Sequence, residues 1–237
     1  MSGKPGSRQL PLDLPHRPHF SRADFLVAEA NQAALAALDA FGPRSAGALA
    51  ISGPPGSGKT HLAHIWASRT GARWIRPETL LDALPELASL PPTALAFDAA
   101  DRIAGDAGLE QGLFHLLNLV RQQGGALLLT GRAPPARWPV ALPDLRSRLA
   151  ALQTVAVGAP DEALLGAVLV KLFADRQVGL GGEVISYLLA RMDRSLAAAR
   201  ELVARLDAES LAGKRAITVP LAAGVLAALQ DEKAEGE

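Results

Sequence analysis

Eight consecutive residues, Gly53-Pro54-Pro55-Gly56-Ser57-Gly58-Lys59-Thr60, follow the pattern G-x-x-x-x-G-K-[ST]. Each residue type in it suits a polyphosphate. Glycines allow backbone conformations and close approaches that a side chain would block. Successive backbone N–H groups then converge on one concavity around a β-phosphate, and the helix that follows adds its positive N-terminal end. In such a loop Lys59 bridges the β- and γ-phosphates, and the Thr60 hydroxyl reaches Mg²⁺. At ordinary composition a chain of this length meets the pattern by chance roughly 1% of the time. The apolar run Ala48 to Ser52 precedes it and a helical run follows, which is the context the chemistry needs. We therefore expect ADP or ATP with Mg²⁺, held by Gly53, Pro55, Gly56, Ser57, Gly58, Lys59 and Thr60, with His61 next on the same helical turn.

Asp98 closes a second apolar run, Ala94-Leu95-Ala96-Phe97. A carboxylate at the end of such a strand, beside the phosphate loop, can hold the Mg²⁺ water shell together with Thr60, as in a Walker B motif. The next residue is Ala99 rather than a second acid, and Asp101 lies three positions on. Without an acid at position 99 to orient water, intrinsic hydrolysis should be weak. His61 and His64 lie three apart on the loop's helix but have no third ligand nearby in sequence, so they read as packing residues rather than a metal site. Trp66, Trp74 and Trp138 read as core.

The elements that must position these groups are legible in the periodicity. Strands are expected at Ala48–Ser52, Arg73–Ile75, Ala94–Phe97, Ala126–Thr130 and Gln153–Val157. Helices are expected in the second half of 22–41, at Lys59–Arg69, at Pro77–Leu84, around Leu109 to Val120, and at Asp144–Leu149. Continuous rather than alternating apolar strands separated by helices mean a parallel sheet covered on both faces. After Pro160 the strands stop. Glu162–Ala174, Glu183–Met192, Ser195–Leu211 and a run opening at Pro220 carry helical apolar faces. The expected fold is thus α/β, a five-stranded parallel sheet with helices on both faces over residues 21–158, followed by a small all-helical domain over 159–237. Residues 1–20 form a polar, proline-bearing arm that should be extended and mobile.

Composition narrows the function classes. The chain has 237 residues, 49% of them hydrophobic, which is ample for a core. Its 24 basic and 24 acidic residues balance, so no global positive field draws nucleic acid, and contact with DNA must be local or borrowed from a partner. Cysteine is absent, which excludes disulfides, thiol catalysis and Cys-ligated metals. The first twenty residues lack the apolar stretch of a signal peptide, and no run is long enough to cross a bilayer, so a cytoplasmic protein without a membrane partner is expected.

Several segments together resemble the AAA+ core of the initiator DnaA. They are Asp24-Phe25-Leu26-Val27 with Asn31, Gly53 to Leu62, Leu128-Leu129-Thr130-Gly131-Arg132 with Pro134-Pro135, and Leu142-Pro143-Asp144-Leu145-Arg146-Ser147-Arg148-Leu149. Order and spacing hold through a helical lid, and the chain then stops. With the arm below, the architecture resembles the Hda family of DnaA-related regulators, and the resemblance spans nearly the whole chain. It implies that Phe25, Leu26, Val27 and Asn31 line the adenine side, and that Thr130 is the sensor 1 residue. It implies that Arg148 is an arginine finger that reaches a neighbouring subunit's γ-phosphate in trans. The lid departs from the family pattern: Ala197 stands at the sensor 2 position, leaving Arg194 or Arg200 as substitutes. With Ala99, this points to a nucleotide held for structure rather than to a fast ATPase.

Gln9-Leu10-Pro11-Leu12-Asp13-Leu14 resembles the short peptide with which bacterial proteins bind the sliding clamp. In that mode of extended-peptide recognition Gln9 hydrogen-bonds at one pocket, while Leu10, Leu12 and Leu14 supply the apolar contacts. The resemblance therefore implies a negative regulator of replication initiation. It would be tethered to the DNA polymerase III β clamp, would stimulate ATP hydrolysis by DnaA, and would meet DNA only through the clamp and DnaA. Monomer and homodimer both remain open. A DnaC-type helicase loader is the alternative, although it would need a helicase-binding domain in place of the arm. A small-molecule kinase fits less well with the helical bundle and the Ser-Arg-Leu triplet at 147–149.

Overall fold

The computed structural model describes residue 22 and residues 25–91, 93–213 and 215–235. Five strands, β1 (Gly47–Ser52), β2 (Arg73–Ile75), β3 (Ala94–Phe97), β4 (Ala126–Gly131) and β5 (Gln153–Ala156), form one sheet in the order β2-β3-β4-β1-β5. Every neighbouring pair is parallel, in keeping with the apolar runs of β3 and β4, which are buried throughout. The register puts the chemistry together. Ile51 pairs with Thr130, and Phe97 pairs with Leu129. The residues just past β1 and β3 therefore emerge on either side of the end of β4.

Side-chain alternation along the strands sorts the core into two layers. Leu95, Phe97, Leu127 and Leu129 face α3 (Leu80–Ser89), α4 (Ala107–Gln123) and α5 (Pro143–Ala150). Leu49, Ile51, Ala94, Ala96, Ala126 and Leu128 face α1 (Glu29–Ala40) and α2 (Lys59–Thr70), where Leu62, Ile65 and Trp66 are buried. The alanines of β3 let α2, the helix that carries Lys59 and Thr60, lie close to the sheet.

The remaining helices, α6 (Glu162–Ala174), α7 (Gly182–Leu189), α8 (Leu196–Gly213) and α9 (Val219–Glu235), share a separate apolar core built on Leu165, Leu169, Phe173, Leu188, Leu202, Val203, Leu206 and Ala222. Asp161 caps α6 by accepting the Leu164 N–H at 2.7 Å. Ser195 caps α8 through the Ala198 N–H at 3.0 Å. Leu26 and Ala28 pack against this lid core, whereas Phe25 belongs to the core under the sheet.

Three helices depart from the sequence expectation. Pro77–Thr79 is a single 3-10 turn, and α3 runs from Leu80 to Ser89 through Pro85. Pro85 lies on the exposed side, where the hydrogen bond it removes can be replaced by water, while Leu80 and Leu87 anchor the helix in the core. α7 ends at Leu189 rather than Met192, although Met192 stays buried through the turn that follows. α8 starts at Leu196 because Ser195 serves as its cap.

Candidate functional site

The phosphate loop leaves β1 at Ser52 and enters α2 at Lys59. Gly56 and Gly58 have φ of +71° and +98°, conformations that side chains disfavour. At Gly56 space is closed as well: a Cβ there would lie 2.3 Å from the Cβ of Ser195. The lid touches the loop directly, because the Leu196 N–H donates to the Gly56 carbonyl at 2.8 Å. The Lys59 ammonium donates to the carbonyls of Gly53 and Pro54, each at 2.7 Å. Burial pushes its pKa below the ordinary value, against the pull of Asp101 and Asp98, and Arg132 adds to the lowering. Ser57 is buried and Pro55 is exposed.

Asp98 stands opposite the loop. The Thr60 hydroxyl donates to its two oxygens at 3.3 and 3.2 Å. Thr130, buried at the end of β4, donates to Asp98 Oδ1 at 2.6 Å and accepts the Ala99 N–H at 2.9 Å. Ala99 itself has φ +52°. Asp101 Oδ2 accepts the Arg132 N–H at 3.1 Å, tying the turn after β3 to the end of β4. The structure thus brings together Gly53, Gly56, Gly58, Lys59, Thr60, Asp98 and Thr130. Among the described residues there is no cluster of three or more His, Cys, Asp or Glu able to hold a metal ion.

The segment expected on the adenine side is pinned by Asn31. Its buried side-chain amide accepts the Ala28 N–H at 3.0 Å and donates to the Leu26 carbonyl at 3.0 Å. Asn31 therefore shapes residues 26–28 through their backbone. Val27 is exposed, and Phe25 meets the His61 ring edge-on with centroids 5.2 Å apart. His61 also meets the lid: Arg200 donates to its Nδ1 at 3.0 Å. Because arginine only donates, Nδ1 is the acceptor nitrogen. Arg200 is largely buried, and that burial pushes its guanidinium pKa down. Arg194 is exposed and lies 3.7 Å from Glu162. Of Arg194 and Arg200, Arg200 is the one seated against the helix that carries Lys59.

Arg148 sits in the last turn of α5 with its guanidinium carbon 5.0 Å from the centroid of the Phe114 ring on α4. Where α5 begins, a residue the sequence reading passed over is decisive. Glu110, 1% exposed, accepts the N–H groups of Gly105, Ala141 and Leu142. An acid on an amphipathic helix carries no signal of this in the sequence. Gln9, Leu10, Leu12 and Leu14 lie outside the described residues.

A phosphate loop after a central strand, an acid after the third, a polar residue between them on β4 and a helical lid seated on the loop define an AAA+ P-loop protein. Residues 165–226 match the family model for the Hda lid domain. The fold is similar to domain III of the Thermotoga maritima replication initiation protein DnaA, with 21% identity over 90% of this chain and 98% of that one and a TM-score of 0.78. It is also similar to AMPPCP-bound DnaA from Aquifex aeolicus, with 19% identity over 83% of this chain and 68% of that one and a TM-score of 0.65. It is likewise similar to a RuvB variant from Thermotoga maritima, at 19% identity over 88% and 72% of the two chains and a TM-score of 0.67. The chain thus has the AAA+ fold of DnaA domain III and carries an Hda-type lid domain over residues 165–226.

Proposed function

We propose that this protein is a negative regulator of replication initiation that stimulates ATP hydrolysis by DnaA while tethered to the DNA-loaded sliding clamp. The observation that carries the reading is an Hda-type lid on a DnaA-like core. The loop suits a resident ADP or ATP. Its backbone at Gly56 excludes any side chain, and Lys59 is already turned toward the loop's own carbonyls. Thr60 and Asp98, hydrogen-bonded to each other at 3.2 Å, are the two side chains that would hold Mg²⁺ beside the phosphates. Such a nucleotide would supply negative charge that draws loop and lid together. The chain's own part is to hold the lid, through Leu196 and Arg200, at a fixed angle to the core.

Arg148 then acts on the partner. It offers a guanidinium to the ATP held by DnaA and neutralises charge that develops as the γ-phosphate departs, a role worth ~10³–10⁵ in rate in GTPase systems. The arm with Gln9, Leu10, Leu12 and Leu14 would bring Arg148 to clamp-proximal DnaA at an effective concentration on the order of millimolar. The test is ATP hydrolysis by DnaA with clamp loaded on DNA. Wild-type protein should accelerate it, and Arg148→Ala should abolish the acceleration while leaving nucleotide binding intact. Substituting Gln9, Leu12 and Leu14 by Ala should remove the dependence on clamp. Unchanged acceleration by Arg148→Ala would sink the finger assignment.

A further inference from the structure

Glu110 lies in the first turn of α4 and is 1% exposed, its carboxylate turned to the loops that lead into α4 and α5. A buried carboxylate is costly unless its oxygens are satisfied, and here they are. Oε1 accepts the Gly105 N–H at 3.0 Å and Oε2 accepts the Leu142 N–H at 2.8 Å. The Ala141 N–H reaches both oxygens, at 3.1 and 2.9 Å. Leu142 is the residue that caps α5, and Pro143 opens it. The negative charge therefore sits at the positive end of α5, where the helix dipole favours it. One helical turn further along α4, Phe114 carries the Arg148 guanidinium. Glu110 and Phe114, four residues apart, lie on one face of α4, while α5 is a helix of eight residues, about 12 Å long. One α4 face thus holds α5 at both ends: a carboxylate at the start and an aromatic ring under the arginine at the finish. Between them Leu145 and Leu149 pack against the core that contains Leu113 and Leu117.

We propose that Glu110 is the positioning residue for Arg148, fixing the start of α5 so that the guanidinium is held over Phe114 and presented outward from a rigid helix. The role in DnaA stimulation rests on the function proposed above; the positioning itself does not. Gln at 110 would turn an amide N–H toward backbone N–H donors and release the loop 141–142.

The test has two readouts on the full chain. Side-chain resonances of Arg148 feel the ring current of Phe114. Glu110→Gln should move them toward those of an exposed arginine, as Phe114→Leu does. Nucleotide affinity should stay within about twofold, and maximal stimulation of DnaA should fall roughly 10- to 100-fold, the usual scale for a misplaced catalytic group. Glu110→Asp, which keeps the charge but shortens the reach, should fall between. A folded Glu110→Gln protein with unmoved Arg148 resonances overturns the proposal. If Glu110→Gln fails to fold, the same comparison on Glu110→Asp decides. Should Arg148→Ala stimulate DnaA like wild type, the finger reading fails, and the resonances alone still decide whether Glu110 positions that arginine.

Discussion

Thr130 donates its hydroxyl proton to Asp98 Oδ1 at 2.6 Å and with the same oxygen accepts the N–H of Ala99 at 2.9 Å. One buried hydroxyl thus orients the acid that faces Thr60 and holds the next residue in a left-handed conformation, φ +52°. Such a conformation costs a non-glycine residue of order 1–3 kcal/mol and persists only where its surroundings enforce it. Thr130→Val keeps the shape, loses both bonds and strands a polar N–H. We expect a loss of about 1–3 kcal/mol of stability, measured by urea denaturation, together with weaker Mg²⁺-nucleotide binding. Thr130→Ser should restore most of both. A Thr130→Val protein as stable as wild type would mean that the turn after Asp98 is held by something other than this hydroxyl.

The two lid arginines should separate cleanly. Arg200 reaches His61 on the loop's helix from a largely buried position, whereas Arg194 makes an exposed pairing with Glu162. Exposed pairs contribute about 0–1 kcal/mol. Coupling between lid and loop through Arg200 has the scale of typical site-to-site coupling, roughly 5-fold or more in affinity. Isothermal titration with ADP and ATP should therefore show a clear loss for Arg200→Ala and less than about a twofold change for Arg194→Ala. The opposite ranking would return the lid's sensing role to Arg194.

Glu110 and His64 make stability depend on pH in separate windows. Burial pushes the Glu110 carboxyl up, but the N–H groups of Leu142, Gly105 and Ala141 outweigh it and hold the pKa below the ordinary 4.5, with Asp106 opposing them. A carboxyl lowered on folding stabilises fully above 4.5 and loses that contribution as pH falls through its folded value. The stability gap between wild type and Glu110→Gln should accordingly be wide at neutral pH and close well below 4.5. His64, packed on Trp74 at 4.1 Å between ring centroids, is lowered by burial and by Arg76 against the pull of Asp98. There the unfolded chain binds the proton first, so stability drops as pH falls below 6.5. His64→Gln should flatten that limb alone. A stability curve without either limb would show that the two groups titrate alike in the folded and unfolded chains.

The sheet and the phosphate site were legible in the sequence for a simple reason: their signals are local. Ala94–Phe97 is a short apolar run and Arg73–Ile75 a short run between Gly71 and Pro77, and the structure ends β3 and β2 at those same residues. Lys59, Thr60 and Asp98 each follow a strand, so their convergence needed only the parallel order. What stayed hidden depends on contacts between distant segments. Glu110 and Ala141 are joined across 31 residues, and His61 and Arg200 across 139. No periodicity reports such pairs. The amide of Asn31 is spent on the backbone of Leu26 and Ala28, so it shapes the segment expected on the adenine side in a way fixed by the chain's path into α1 rather than by residue type. At α3, the local signal misled: Pro85 reads as a stop, but burial of Leu87 carries the helix past it.

Gly56 is where loop and lid meet, and its substitution tests that meeting directly. Its φ of +71° penalises any side chain, and its Cβ would lie 2.3 Å from the Ser195 Cβ and 2.8 Å from the Ser195 Oγ. Gly56→Ala therefore carries two costs, backbone strain of about 1 kcal/mol and a collision with the cap of α8. To escape the collision the lid must shift, which breaks the Leu196 N–H bond to the Gly56 carbonyl. We expect nucleotide affinity to fall about tenfold, roughly 1.4 kcal/mol of binding free energy, because the lid no longer rests on the loop. The double variant Gly56→Ala with Ser195→Gly opens the space that the new methyl group needs. Glycine replaces serine as a helix cap at a cost of only a few tenths of a kcal/mol, so the second change is mild alone. The double variant should recover the share of affinity lost to the collision and keep the share lost to backbone strain. Full recovery would mean that the left-handed conformation at 56 is not limiting. No recovery would mean that the lid does not rest on this loop when nucleotide binds.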